Sequence, residues 1–137
     1  MLPALRPEAL RPNGGRHDPS DPELRAQLIA NAVDPRGDHL PVAKFFNPMG
    51  AGVWLATMLE PDGDTLHGIA DLDMDYVDYG LFSLAELQGL DVGLQLGVER
   101  DILFETTAPI SVWIDIADIA GGIRAAERII ARLEREG

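Results

Sequence analysis

The sequence predicts an α+β domain. Three observations carry that assignment: short apolar runs separated by tight-turn residues through the middle of the chain, a partly alternating stretch from Thr65 to Met74, and an amphipathic pattern at the C-terminus. Together they describe a small, mostly antiparallel sheet, covered on one face, with an N-terminal helix, a short middle helix and a C-terminal amphipathic helix. At 137 residues the chain has room for one domain with a modest core. The division expected is a flexible leader over residues 1–19 and a single α+β domain over residues 20–137.

The leader mixes proline, glycine and arginine without periodicity. Ser20-Asp21-Pro22-Glu23 then has the makings of a helix start, with a capping oxygen before a proline whose φ is preset for the first turn. Leu24, Leu28 and Ala32 give that helix one apolar stripe, which stops before Asp34-Pro35-Arg36-Gly37. Val42 to Phe46 and Val53 to Leu59 read as strands, ended by the turns Asn47-Pro48 and Pro61-Asp62-Gly63-Asp64. In the next stretch Leu66, Gly68, Ala70, Leu72 and Met74 share one face, opposite His67, Ile69, Asp71 and Asp73. Val77 to Phe82 is a further strand, and Ser83-Leu84-Ala85-Glu86 has capping-box spacing, opening a helix to about Gly89. Val98 to Phe104 is extended. Ile110 to Ile119 fits either a β-branched strand or a helical face through Ile110, Trp113 and Ala117, and Gly121-Gly122 interrupts it. Ile123, Ala126, Ile130 and Leu133 then define the terminal helix.

Net charge is −12, and its distribution is uneven: residues 1–43 carry −1, residues 44–110 carry −10, and residues 111–137 carry −1. A segment this acidic repels phosphate backbones, which argues against non-specific duplex DNA binding and favours cations or basic proteins as partners. The absence of cysteine removes disulfides, thiolate metal sites and cysteine nucleophiles. No apolar stretch approaches the roughly 20 residues of a membrane span, and the proline-rich start lacks a signal-peptide core, so a cytoplasmic protein without membrane attachment is expected.

The densest charged cluster is Asp71, Asp73, Asp75 and Asp78. On a strand the first three project from one side at about 6.5–7 Å intervals, wide for direct coordination by all three. A calcium loop is not matched, because Tyr76 and Phe82 stand where its glycine and distal glutamate belong. The commoner role of such carboxylates is a solvated strand face. A nuclease would need carboxylates converging on Mg²⁺ or Mn²⁺. Glu60, Asp64, Asp71, Asp73 and Glu99 are the candidates, with Lys44 or His67 to meet the phosphate. His17, His39 and His67 lack zinc-pair spacing, none of Ser20, Ser83 and Ser111 sits in a nucleophile elbow, and Gly50-Ala51-Gly52 lacks the lysine and hydroxyl of a phosphate loop. No other cofactor is predicted. For protein contacts the candidate surface comprises Asp71, Asp73, Asp75, Asp78, Trp113 and the ridge Arg124, Arg128, Arg132, whose like charges at four-residue spacing invite an acidic partner or another copy.

Several of these segments occur together in one family. Leu40 to Pro48, Trp54-Leu55, Glu60-Pro61, Gly68 to Leu72, Tyr79 to Leu87 and Val98-Glu99-Arg100-Asp101 resemble the DUF2958 family over roughly residues 23–122. The resemblance implies accessory work on bacterial plasmids and other mobile elements, and some members carry the label single-stranded DNA endonuclease. The sequence departs from the family pattern at Met58, at His67-Gly68 and at Val77-Asp78-Tyr79-Gly80. Three functions follow in order of support: a non-enzymatic factor, of anti-defence or DNA-mimic type, that binds the basic surface of a nucleic-acid-handling protein; a divalent-metal-dependent single-stranded DNA endonuclease; and a structural accessory that forms homo-oligomers.

Overall fold

A computed structural model describes residues 22–72, 77–89 and 98–136. The expected leader, with the capping residues Ser20 and Asp21, lies outside the described residues, as do Asp73 and Asp75. In chain order the elements are α1 (Pro22–Ala32), β1 (Ala43–Phe46), β2 (Val53–Leu59), β3 (Thr65–Asp71), β4 (Asp78–Ser83), α2 (Leu84–Gly89), β5 (Glu99–Arg100), α3 (Ile110–Ala120) and α4 (Ile123–Glu136). This is the α+β class, with four helices and one sheet among the described residues.

The strands lie in the order β4-β3-β2-β1-β5, and every neighbouring pair is antiparallel. β1 to β4 form a meander, and β5 returns to the far side of β1. The extended piece expected from Val98 to Phe104 shortens to two paired residues, Glu99 and Arg100. The ambiguous segment after Pro109 is helical. Its three buried residues, Ile110, Trp113 and Ala117, recur at helical spacing, and Gly121 ends it in the left-handed region at φ 98° with its N–H on the Ala117 carbonyl.

That helix changes the layering. The sheet is covered on both faces, not on the single face expected. Leu28 of α1 and Leu87 of α2 pack with Phe45, Trp54, Ala56, Leu59 and Leu66 on one side. On the other, Trp113, Ala117, Ile123, Ala126 and Ile130 of α3 and α4 pack with Val53, Leu55 and Ile69. All seven residues of β2 are buried, as a central strand between two helical layers requires. The alternation expected for β3 holds: Leu66 and Ala70 join the first layer and Ile69 the second.

One irregularity interrupts the β2–β3 ladder. Pairing runs from Ala56↔Gly68 to Met58↔His67, so Thr57 is an extra residue in β2. Its hydroxyl donates to the His67 carbonyl at 3.2 Å, and its own carbonyl accepts from the Asn31 side chain at 2.9 Å. The bulge returns Leu59 to the face of Trp54 and Ala56, where α1 covers it.

Candidate functional site

Two of the carboxylates singled out as metal ligands, Asp64 and Asp71, bond the starts of helices. Asp64 sits before β3, and its carboxylate accepts from the Ser83 hydroxyl at 2.8 Å and the Ala85 N–H at 2.8 Å, while its carbonyl accepts from the Leu84 N–H. It therefore completes the start of α2 alongside Ser83, whose hydroxyl takes the Glu86 N–H at 3.1 Å. Asp71, at the end of β3, accepts from the Ile123 N–H at 2.8 Å and so caps α4. Asp38, which the sequence reading passed over, does the same for α3: the Ser111 N–H and hydroxyl both donate to it, the latter at 2.5 Å. Each of these three helices begins on a carboxylate delivered from elsewhere in the chain, where the free N–H groups and the positive end of the helix dipole favour negative charge.

Of the other described candidates, Glu60 and His67 meet each other, while Lys44 and Glu99 lie on β1 and β5. Glu60 follows β2 and contacts His67 Nε2 at 2.7 Å. Lys44 is 12% exposed at its side chain and is held between Glu127 at 2.6 Å and Asp101 at 3.4 Å. Both side chains proposed to meet a phosphate, Lys44 and His67, are thus engaged within the fold. Glu99 lies at the opposite edge of the sheet on β5. Among the described residues no three histidine, aspartate or glutamate side chains gather as a metal site would require. Trp113, expected on a contact surface, is only 1% exposed; it lies 5.9 Å from the Phe104 ring and donates to the Thr106 hydroxyl, so it belongs to the core.

What the structure does assemble is one end of the sheet. The bond from Asp71 to the Ile123 N–H brings the end of β3 to the start of α4, beside the start of β4. Asp78 and Asp118 are exposed. Leu72, just after β3, is 50% exposed, and Ile119, next to Asp118 on α3, is 86% exposed. The neighbouring cleft, of about 530 Å³, has Asp71, Gly52 and Gly122 in its wall and Arg124 and Arg128 on its rim. Arg124 donates to the Gly50 carbonyl at 2.8 Å, tying α4 to the β1–β2 turn. Arg132 continues the exposed ridge away from the cleft. Asp115, Asp118 and Ile119 were missed as surface residues. Helical spacing from Trp113 would have placed them outward, had the segment been recognised as a helix.

Three carboxyls are held below their usual range. Hydrogen bonds from Ser111 hold Asp38 down, and those from Thr65 hold Asp62 down. At Glu134, burial pushes upward, but the Thr107 N–H and the hydroxyls of Thr106 and Thr107 outweigh it.

The fold defines a class: a small α+β domain with an antiparallel sheet between two helical layers. The chain belongs to the DUF2958 family, described as a protein of unknown function, whose model matches residues 20–124. Comparison with curated proteins and with solved structures gave no match.

Proposed function

We propose that this chain is a non-enzymatic binding protein whose acidic end engages the basic surface of a nucleic-acid-handling protein. The observation that supports this reading is the company kept by the carboxylates left outside the fold's own bonding. Asp78 on β4 and Asp118 on α3 are exposed, as are Leu72, just after β3, and Ile119, next to Asp118 on α3. Apolar anchors rimmed by charge suit a protein interface, whereas metal-dependent hydrolysis calls for carboxylates converging on one ion. The acidity of residues 44–110 supplies long-range attraction toward a basic partner and repels free nucleic acid. Work in the cytoplasm on behalf of mobile DNA, of anti-defence or DNA-mimic kind, is the setting that the family resemblance suggests. No helix among the described residues is long and apolar enough to cross a membrane.

The test uses immobilised full-length chain challenged with host lysate at low and high salt, alongside Asp78→Asn/Asp118→Asn and Ile119→Ser variants. Basic nucleic-acid-processing proteins should be retained, released by salt, and weakened about tenfold or more by either variant. In parallel, the chain is incubated with single-stranded DNA and Mg²⁺ or Mn²⁺. Metal-dependent cleavage that disappears in a folded Asp71→Asn variant would overturn the binding reading in favour of an endonuclease.

A further inference from the structure

We propose that two copies of this chain pair through β4, edge to edge and antiparallel, about a two-fold axis at Gly80, joining their sheets into one. The two edges of the sheet are unlike. β5 ends one side with only two residues, whereas β4 ends the other with six. Long edge strands are normally guarded by lysine, proline or a bulge. β4, Asp78-Tyr79-Gly80-Leu81-Phe82-Ser83, contains neither lysine nor proline, and its pairing with β3 runs without a register shift.

The phase of that pairing shows which groups are left over. The Leu84 N–H bonds the Asp64 carbonyl at 2.9 Å. In an antiparallel ladder this makes Thr65↔Ser83, His67↔Leu81 and Ile69↔Tyr79 the non-hydrogen-bonded pairs. The backbone N–H and C=O groups of Tyr79 and Leu81 therefore point away from β3, to the side on which no strand pairs among the described residues. Their side chains, on the face of Ile69, are 49% and 62% exposed.

A second copy is the occupant this strand fits, because the strand complements itself. With Gly80 opposite its own counterpart, Tyr79 meets Leu81 of the other copy and Leu81 meets Tyr79. Two aromatic–aliphatic pairs form, and all four sets of free backbone groups are satisfied. Asp78 falls opposite Phe82 of the other copy. The two Asp78 carboxylates are then offset by four residues, about 13 Å along the strands, so no like charges face each other. The glycine at the axis removes the one side chain that would meet itself.

The experiment is sedimentation equilibrium of the full chain over a wide concentration range, with a cysteine cross-link to locate the contact. A reversible dimer of twice the 14.9 kDa chain mass is expected. Because the copies carry like net charge, association should strengthen as salt rises, the opposite of binding to a basic partner, so this pairing and the proposed function fail separately. Leu81→Lys, at an exposed position, should leave a monomer with an unchanged circular dichroism spectrum. The chain has no cysteine, and a Cβ at Gly80 meets nothing within 4 Å. Across the axis a non-hydrogen-bonded pair places Cα atoms about 4.5 Å apart, within disulfide range. Gly80→Cys should thus oxidise to a covalent dimer at least tenfold faster than Asp78→Cys. A chain monomeric at every concentration overturns the proposal. So does a dimer that survives Leu81→Lys and cross-links no faster through Gly80→Cys than through Asp78→Cys.

Discussion

Asp71 has the most instructive position of any single residue. From the sequence it heads an acidic cluster and invites a metal ion; in the fold it caps α4 from a strand 52 positions earlier. Replacing it with alanine leaves the Ile123 N–H without its acceptor and should lower stability by about 1 kcal/mol, while asparagine, which also caps, should restore most of that loss. Thermal melts of the two variants check this: a few degrees lost in Asp71→Ala, largely recovered in Asp71→Asn. Asp64 and Asp38 act in the same way at α2 and α3. None of these roles was legible in advance, because a local capping pattern such as Ser83 to Glu86 appears in the sequence, whereas a cap supplied across tens of residues does not.

Among the elements, β2 and β3 form the centre on which both helical layers rest. Gly68 lies where the two strands approach most closely, and a Cβ there would run into the Leu55 carbonyl. Gly68→Ala must push β3 away from β2 beside the Thr57 bulge, with an expected loss of about 3 kcal/mol or more, measured by urea unfolding. The control is Gly80→Ala on β4, where there is open space and little change is expected. The continuous apolar run Val53 to Leu59 already carried the sign of a strand buried on both faces. Its second cover, α3, is hard to read from sequence because it is rich in isoleucine and valine, which favour strands. Tertiary packing on Val53, Leu55 and Ile69 overrides that preference.

For the molecule as a whole, the depressed carboxyls set its response to acid. Asp38, Asp62 and Glu134 bind protons less readily folded than unfolded, so their contribution is present above their ordinary values of 3.8 for the aspartates and 4.5 for the glutamate. It is lost as pH falls through and below that range. Melting temperature should therefore hold from neutral pH to about 5 and decline below about 4.5, and Glu134→Gln should flatten part of that decline. Differential scanning across pH 3–7 measures both. The effect of Asp62 should be small because its carboxyl is fully solvated.

Local information determined much of this protein. Composition and periodicity were enough for the α+β class, for the amphipathic α4 and for the strands of the meander, since turn residues and side-chain alternation act over a few positions. The family was also legible, through short segments in order. Only the tertiary structure decided that α3 is a helix, that the sheet has two covers, and that the acidic residues divide between helix caps and an exposed end. Those outcomes depend on contacts between residues far apart in the chain, where hydrogen-bond geometry and burial, not residue type, decide what a carboxylate does.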